Sequence, residues 1–424
     1  MANFLRTNVK KIYRQMVLNY IWISFFVLGF LAALYRLIAL GDTDIFSTMV
    51  SGTCDSAKTG FEISLGLTGV LTLWTGLLKV GEKGGMTNFL AKIFAPFFRR
   101  LFPEIPENHP AMGSIVMNFS ANMLGLDNAA TPLGLKAMNQ MQDLNPDKTQ
   151  ASNAQIMFLT LNASGLTVLP VTVMMYRIQM GAADASDVFI PILLATSIST
   201  LAGLLTVCIR QRINLFDKVI MLYLGVLFLA EGLLVWQFSQ MESEKISVVS
   251  SLAANIILFS VIIAFIVCAA VKRINVYDAF IEGAKDGFST AVKIIPYMVA
   301  ILIAIGVFRN SGALEFLTDG LSSLLAALGI DTSFIPSLPT ALMKPLSGSG
   351  ARGMMIDCMK TYGADSFAGR LSCTMQGAAD TTFYIIALYF GSVGMKNTRY
   401  AVSAGLIAEF AGLISAIFIA YMFW

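Results

Sequence analysis

Long apolar segments recur along the whole chain, separated by shorter polar ones. Many of them reach the ~20 residues that a helix needs to cross a bilayer. Two further apolar stretches, 108–142 and 335–362, are interrupted near their middles by polar and glycine-rich residues. The pattern predicts an all-α polytopic membrane protein. Its nine predicted spans are residues 18–40, 61–80, 153–178, 187–209, 215–237, 247–271, 289–308, 369–392 and 396–423.

Composition supports this class and argues against others. The 424 residues are 56% hydrophobic and 13% charged, whereas about 25% of a soluble domain is charged. The single histidine and the five scattered cysteines argue against an enzyme site or a metal site. The chain also lacks the GxxxxGK[ST] phosphate-binding loop of a nucleotide-driven motor. We therefore expect no enzymatic activity, no resident cofactor or metal, and no nucleic-acid partner.

The distribution of Lys and Arg orients the predicted spans, because basic residues near span ends favour the cytoplasmic side. We treat both interrupted stretches as re-entrant hairpins that enter and leave on one side. The basic groups that include Arg6, Lys79, Arg210, Lys272 and Lys396 then all lie inside. A full crossing by either hairpin would reverse the pattern downstream. The prediction is a multi-pass protein of the bacterial inner membrane with a cytoplasmic N-terminus and an external C-terminus.

This topology contains an internal repeat over residues 61–209 and 289–423. Each copy has a span, an amphipathic interfacial stretch, a hairpin, a broken span and a final span. The intervening crossings start the second copy from the opposite side, so the repeats are inverted. Inverted repeats with two re-entrant hairpins and two broken helices are typical of secondary transporters, whose site lies at the repeat interface. The scaffold would then be spans 18–40, 215–237 and 247–271.

Two similar polar segments, 160–167 and 374–381, interrupt the broken spans. In each, a threonine and an apolar residue precede an amide, small residues and a second threonine. Broken backbone at membrane depth occurs where protein or a water-filled cavity satisfies it. Some of these amides and hydroxyls would equally serve as hydrogen bonds between helices. The candidate substrate-binding residues here are Asn162, Ser164, Gln376, Asp380 and Thr381.

The tip of the second hairpin, residues 345–353, offers donors to an anionic or carbonyl-bearing ligand. Ser347, Ser349 and Arg352 lie among glycines that expose backbone N–H groups, and half-helix N-termini favour anions. Alternatively, Arg352 reaches lipid headgroups from a flexible loop. Lys344 and other charged residues that flank the hairpins are expected to pair with each other or to reach headgroups.

The first hairpin tip and two buried glutamates supply the other candidates. Asn128 and Thr131 are candidate substrate-binding residues. Asp127 either binds a coupling cation or a substrate hydroxyl, or caps the outgoing helix. Glu231 and Glu409 lie inside apolar spans, where a carboxylate either couples transport to an ion or stays protonated and bonds to a neighbouring helix. With Asp127 and Asp380, they form the predicted ion-coupling set for Na⁺ or H⁺.

Several long motifs resemble one known family. Residues 122–138 (NMLGLDNAATPLGLKAM) resemble the spore maturation protein A family. Residues 344–353 (KPLSGSGARG) and 375–384 (MQGAADTTFY) resemble the spore maturation protein B family. The resemblance is A-like over residues 1–240 and B-like over 241–424, as in a fusion of two proteins that are usually separate. Both belong to the nucleoside-recognition, or Gate, domain group, which is distantly related to concentrative nucleoside transporters.

The resemblance implies a nucleoside-transporter-like core with an elevator-like movement and a role in spore maturation. Together with the residues, it predicts secondary-active transport of a small polar solute, anionic or zwitterionic, coupled to Na⁺ or H⁺. The alternative is a non-transporting membrane gate or scaffold that acts through a partner in the envelope. The expected partners are the solute, membrane lipid and further copies of the chain in a homodimer or homotrimer.

Overall fold

The chain is helical throughout the residues that the computed structural model describes. The backbone is described for residues 2–106, 108–125, 127–241 and 243–424, and the side chains for 19–106, 108–125, 130–238, 240–241 and 248–424. Strands are absent from this part of the chain. A 3₁₀ turn, Ile335–Ser337, precedes α13. The helices are α1 (Ala2–Leu40), α2 (Ile45–Gly84), α3 (Met86–Leu101), α4 (Pro110–Met123), α5 (Asp127–Leu144), α6 (Asn153–Ser164), α7 (Val171–Gln179), α8 (Phe189–Gln211), α9 (Lys218–Ser239), α10 (Ser243–Val271), α11 (Val276–Asn310), α12 (Ala313–Ala327), α13 (Leu338–Met343), α14 (Gly348–Tyr362), α15 (Phe367–Gly377), α16 (Thr382–Ser392) and α17 (Ala401–Phe423).

Among the described residues, seven helical segments are long and apolar enough to cross a membrane. They coincide with seven of the nine predicted spans. The other two, 153–178 and 369–392, are split into helices of 12 and 9 residues and of 11 and 11 residues. The chain is therefore an all-α polytopic membrane protein. The seven segments are Asn19–Leu40, Ile45–Gly84, Phe189–Gln211, Lys218–Phe238, Val248–Val271, Val276–Asn310 and Ala401–Phe423.

Two helices extend far beyond the spans predicted at 61–80 and 289–308. α2 has 40 residues and α11 has 35. At 1.5 Å per residue they are about 60 and about 50 Å long, against roughly 30 Å of hydrocarbon. The prediction of their bounds was wrong because an apolar window ends at charged residues, whereas a charged residue does not end a helix. Their N-terminal turns carry the charges that shortened the predicted spans.

α2 and α11 pack closely side by side in antiparallel directions. A Cβ built on Gly60 would lie 2.9 Å from the Cα of Val299, and one on Gly76 would lie 2.6 Å from the Phe280 ring. Residue numbers thus rise along α2 as they fall along α11. Small residues at such positions let two backbones approach, which is how membrane helices gain packing energy.

α8 and α17 form a second antiparallel pair. The hydroxyl of Ser199 donates to the carbonyl of Ala408 at 2.8 Å. A Cβ on Gly203 would lie 2.9 Å from the Cβ of Ala408, and one on Gly412 would lie 2.9 Å from that of Ser199. α2 and α11 open the two predicted repeats, and α8 and α17 close them. Elements at the same place in the repeat order therefore pack against each other in opposite directions.

The same local signals start further corresponding helices. α3 and α12 each begin directly after a left-handed glycine, Gly85 (φ 84°) and Gly312 (φ 82°). α6 and α15 each begin after a serine, Ser152 and Ser366, whose hydroxyl accepts the backbone N–H three residues on, at 3.2 and 3.0 Å. A serine at this position satisfies one of the orphaned donors of a helix N-terminus.

Candidate functional site

The breaks in the two split helices contact each other directly. The N–H of Asp380, in the second break, donates to the carbonyl of Ala163, beside the first break, at 2.9 Å. Gly165 ends α6 in the left-handed region, with φ 59°. A Cβ there would lie 3.0 Å from the nitrogen of Asp380. Glycine both adopts this φ without strain and leaves room for the facing backbone, so the two polar segments lie side by side.

Each interrupted stretch sends its tip to a break in the following helix. The N–H of Val168 donates to the carbonyl of Met123 at 2.9 Å, and the N–H of Phe383 donates to that of Pro345 at 3.4 Å. The arms of the first stretch are held together by Asn118, whose side-chain amide donates to the carbonyl of Ala130 at 2.8 Å. Four interruptions of the helical backbone therefore converge on one region.

Charged side chains lie at both half-helix ends of the second break. The Nζ of Lys344 donates to the carbonyl of Gln376, at the C-terminal end of α15, at 2.6 Å. The carboxylate of Glu409 accepts the N–H of Thr382, at the start of α16, at 3.3 Å. A helix carries partial negative charge at its C-terminus and partial positive charge at its N-terminus. A cation thus meets the negative end and an anion meets the positive end.

Lys344 belongs to a set of four charged residues, which we call the charge cluster. It lies within electrostatic reach of Arg352, Asp380 and Glu409, and the formal charges of the four cancel. The guanidinium of Arg352 lies over the ring of Tyr176, 5.6 Å from its centroid. Lys344 and Glu409 are buried, whereas the side chain of Asp380 is exposed between buried neighbours. Asp380 therefore borders accessible space at the break, and one of its carboxylate oxygens accepts the N–H of Thr381 at 2.7 Å.

Several buried polar atoms beside the charge cluster have no hydrogen-bond partner among the described residues. Buried polar groups in proteins are nearly always paired, so these atoms have hydrogen-bonding capacity that the described residues do not use. A Cβ on Gly348, the first residue of α14, would lie 2.9 Å from one of these atoms, Oγ1 of Thr381. The unpaired atoms are Oε1 of Gln376, Oγ1 of Thr381, Oγ1 of Thr382, Oε1 of Glu409 and Nε of Arg352.

Three predicted site residues use their polar atoms within the protein. Oδ1 of Asn162 accepts from the side-chain amide of Asn122 at 2.9 Å and from the hydroxyl of Tyr389 at 3.3 Å. The hydroxyl of Ser164 donates to its own helix at 3.0 Å. Ser347 caps α14 through an N–H bond of 3.0 Å. These side chains shape the breaks and the tip rather than leaving free donors there.

The remaining predicted residues lie apart from the charge cluster or outside the described side chains. Ser349 is exposed and bonds to the hydroxyl of Ser347 at 3.2 Å. Thr131 is half-buried on α5. Glu231 lies on α9 beside Ser197 of α8, and none of the hydrogen bonds or ion pairs between described residues joins it to the cluster. The side chains of Asp127 and Asn128 lie outside the described residues.

The expectation that Lys344 pairs at the hairpin flank or reaches headgroups was wrong. Its side chain is only 4% exposed. The flanking Asp357 pairs instead with Arg309, at 2.8 Å, and Lys136 is exposed. α13 has only six residues, so the chain turns early and carries Lys344 into the break. The signal in the sequence was a lysine directly before a proline at the start of the glycine-rich tip.

A second charged group, which we call the ion-pair network, joins the far ends of the broken helices. Arg177, in the last turn of α7, pairs with Asp187 at 2.8 Å and with Asp365 at 3.0 Å. Arg370, in the first turn of α15, pairs with the same Asp187 at 2.7 Å. Sequence reasoning did not find this network.

Comparisons with known proteins identify a family. The family model described as nucleoside recognition, Gate, matches residues 64–179 and 291–396. Spore maturation protein B of Bacillus subtilis (strain 168) is 43% identical over 159 residues, which are 38% of this chain and 88% of that protein. Spore maturation protein A of the same strain is 40% identical over 190 residues, 45% of this chain and 93% of that protein. No solved structure matches the chain significantly. Each matched range contains one hairpin tip and one break.

Proposed function

Because the chain belongs to the Gate (nucleoside recognition) family of membrane proteins, we propose that it is a secondary-active transporter of a small polar solute in a bacterial inner membrane. Its site is the charge cluster where the two breaks meet the second hairpin tip. The observation that carries the proposal is the group of unpaired buried atoms on Gln376, Thr381 and Arg352, beside Thr382 and Glu409, whose side chains lie next to each other. A solute with donors and acceptors would complete their hydrogen bonds.

Inverted repeats at 61–209 and 289–423 complete this proposal. Antiparallel packing of α2 with α11 and of α8 with α17 supports the inversion, because corresponding elements then run in opposite directions. The short paired helices of 108–142 and 335–362 would enter and leave on one side. Sites at the interface of such repeats, formed by broken helices, are the common arrangement of secondary transporters.

The charges at the site favour a zwitterionic solute. Arg352 and the N-terminus of α14 attract an anionic group, and the carboxylate of Asp380 attracts a cationic one. Since the cluster is formally neutral, a zwitterion keeps it neutral, whereas a simple anion would require a co-transported cation. In an elevator-like cycle, the ion-pair network would keep α7 and α15 together as one moving body. The fixed scaffold would consist of α1, α9 and α10, which also offer the surface for a homodimer or homotrimer.

A ligand screen with a matched control tests the proposal. We would measure the melting temperature of the purified protein with nucleosides, dipeptides, amino acids and organic anions. Arg352→Ala removes the cation over Tyr176, and Arg210→Ala removes a similar arginine that lies 5.8 Å from the ring centroid of Tyr400. A solute should raise the melting temperature of the wild type and of Arg210→Ala but not of Arg352→Ala. A solute that stabilises all three equally would refute this site.

The alternative is a non-transporting gate or scaffold, favoured by one observation. Asn162, Ser164 and Ser347 all use their polar atoms within the protein, as packing features would. A single cysteine at Ser349, on the exposed hairpin tip, separates the two functions. A transporter should expose it to a membrane-impermeant thiol reagent from each side in turn, and solute should change the rate. Labelling from one side only, unaffected by every solute, would favour the gate.

A further inference from the structure

We propose that the ammonium of Lys344 occupies the cation position of the second break whenever the second hairpin tip is closed against it, so that this protein binds no Na⁺ there. The inference deepens the proposed function, on which its relevance to coupling rests. If a side chain takes the place of an alkali cation at the second break, Na⁺ is excluded as a coupling ion at that position. The argument rests on position, on the surrounding oxygen atoms, on charge and on the segment that carries the lysine.

The position is that of a coupling cation in a transporter with broken helices. Such ions are coordinated by unwound backbone carbonyls and by the C-terminal ends of half-helices. The Nζ of Lys344 lies 2.6 Å from the carbonyl of Gln376, one residue before α15 ends at Gly377. An N⁺–H···O bond of this length is a charge-assisted hydrogen bond. The ammonium therefore satisfies the same carbonyl that would hold a metal ion.

Besides the bonded carbonyl of Gln376, two carboxylates lie within electrostatic reach of the ammonium, and both oxygen types are ones that a hard cation prefers. Asp380 and Glu409 both act electrostatically on Lys344, and Arg352 is the other cation near it. Two positive and two negative charges already balance. An added Na⁺ would leave a net positive charge in a place where Lys344 is 4% exposed, and an uncompensated buried charge is costly.

The ammonium belongs to Lys344 of the second hairpin, whereas the partial negative charge that it compensates belongs to the C-terminal end of α15. Lys344 directly precedes Pro345, whose carbonyl accepts the N–H of Phe383 at 3.4 Å. The same short segment therefore closes the tip against the break and delivers the ammonium. Withdrawal of the tip would remove the positive charge from Asp380 and Glu409. Opening of the site and loss of its internal cation are in this way one movement.

Salt-dependent stability of the full-length protein tests the inference. We would titrate NaCl against choline chloride at constant ionic strength and measure the melting temperature of wild type, Lys344→Ala and Lys360→Ala. Lys360 is an exposed lysine that donates to the hydroxyl of Thr59 at 2.8 Å. The wild type and Lys360→Ala should show no specific response to Na⁺. Lys344→Ala should show a saturable rise, because Na⁺ fills the vacated position.

Two results would overturn the inference. One is a saturable Na⁺ response of the wild type, and the other is a folded Lys344→Ala protein that Na⁺ does not stabilise. If Lys344→Ala is not recovered in folded form, Lys344→Ala/Asp380→Asn decides, because it removes one charge of each sign. Recovery of this double variant supports a charge-balancing role for Lys344. Its failure to fold would show that Lys344 is needed for another reason and would end the proposal.

These measurements do not depend on transport. A protein that no solute stabilises, but whose Lys344→Ala variant gains a Na⁺ response, would lose the proposed function and keep this inference. A protein that binds a solute at Arg352 but is itself stabilised by Na⁺ would keep the proposed function and lose the inference. The two can therefore fail separately.

Discussion

Removal of Arg177 should be among the most destabilising single changes in this chain. Its guanidinium is fully buried and bonds to four groups. Two are the carboxylates of Asp187 and Asp365, at 2.8 and 3.0 Å. The others are the carbonyls of Ala364 and Asp184, at 2.6 and 3.1 Å. Because these groups lie in the loop after α7 and in the loop before α15, the change Arg177→Met would free the ends of both broken helices.

The size of the stability loss depends on the groups that Arg177→Met leaves without a partner. Breaking a buried ion pair by removing one partner costs about 3–5 kcal/mol. Asp187, 3% exposed, keeps Arg370 at 2.7 Å, so its charge stays partly compensated. Asp365 is 36% exposed, and such a pair contributes only about 0–1 kcal/mol. Each orphaned buried carbonyl adds about 1–3 kcal/mol. Since Arg370 offsets part of the ion-pair loss and the carbonyls add to it, we expect Arg177→Met to lower the free energy of unfolding by at least about 4 kcal/mol.

Equilibrium unfolding in mixed micelles, with helicity as the signal, would measure this loss. Arg177→Met/Asp187→Asn should be more stable than Arg177→Met, because it no longer buries a carboxylate short of one partner. Lys58→Met is the control, since Lys58 forms an exposed pair with Glu62 at 3.8 Å and should matter by less than about 1 kcal/mol. A loss for Arg177→Met as small as that of the control would refute the reasoning. So would a double variant less stable than the single one.

Two pairs of glycine substitutions test the close contacts. Gly165→Ala should cost about 2–3 kcal/mol, from its left-handed φ and from crowding against the second break. Gly181→Ala, with φ 75° and open space around it, should cost only about 1 kcal/mol, and equal losses would show that crowding is irrelevant. Gly60→Ala should cost about 1–3 kcal/mol through overpacking between α2 and α11. Gly69→Ala, which meets nothing within 4 Å, should stabilise the protein by about 0.5–1 kcal/mol. A Gly60→Ala protein as stable as the Gly69→Ala protein would contradict the close packing of α2 on α11. Unfolding free energies measure all four.

The places where helices stop could be predicted from the sequence, because they depend on local chemistry. Both polar segments in the predicted spans at 153–178 and 369–392 coincide with helix ends, as glycine and polar residues in apolar runs indicate. Helix lengths were less accessible. Charged residues in the N-terminal halves of α2 and α11 ended the hydropathy signal but not the helix, since helical hydrogen bonds do not depend on side-chain polarity.

Contacts between distant segments could not be predicted. Arg177 and Asp365 are 188 residues apart in the chain, and neither stands in a motif that marks its partner. Lys344 was expected at a flank because a lysine there can pair or reach headgroups, whereas it bonds to a backbone carbonyl of α15 and lies within electrostatic reach of two carboxylates from distant segments. The local sequence pattern thus located the helix breaks. Contacts made only in the folded protein determine which polar groups at the breaks are hydrogen-bonded within the chain.

The predicted outer side of the membrane carries basic residues that the fold neutralises. The positive-inside rule counts Lys and Arg rather than net charge, so these residues oppose the orientation predicted from the remaining clusters. Pairing explains how the folded protein holds them, but it does not decide the orientation. The residues are Arg36 with Asp42, Lys58 with Glu62, Arg177 and Arg370 with Asp187, and Arg309 with Asp357.

Cys54 gives a direct test of the orientation. It is exposed on the N-terminal part of α2, whereas Cys208, Cys358 and Cys373 are buried and Cys268 is half-buried. With the N-terminus in the cytoplasm, the start of α2 lies outside, so a membrane-impermeant maleimide should label Cys54 in intact cells. Cys54→Ser should remove that labelling. Labelling that requires permeabilised cells would place α2 the other way round. Every span would then be reversed, and the interrupted stretches would have to be counted again as crossings or hairpins.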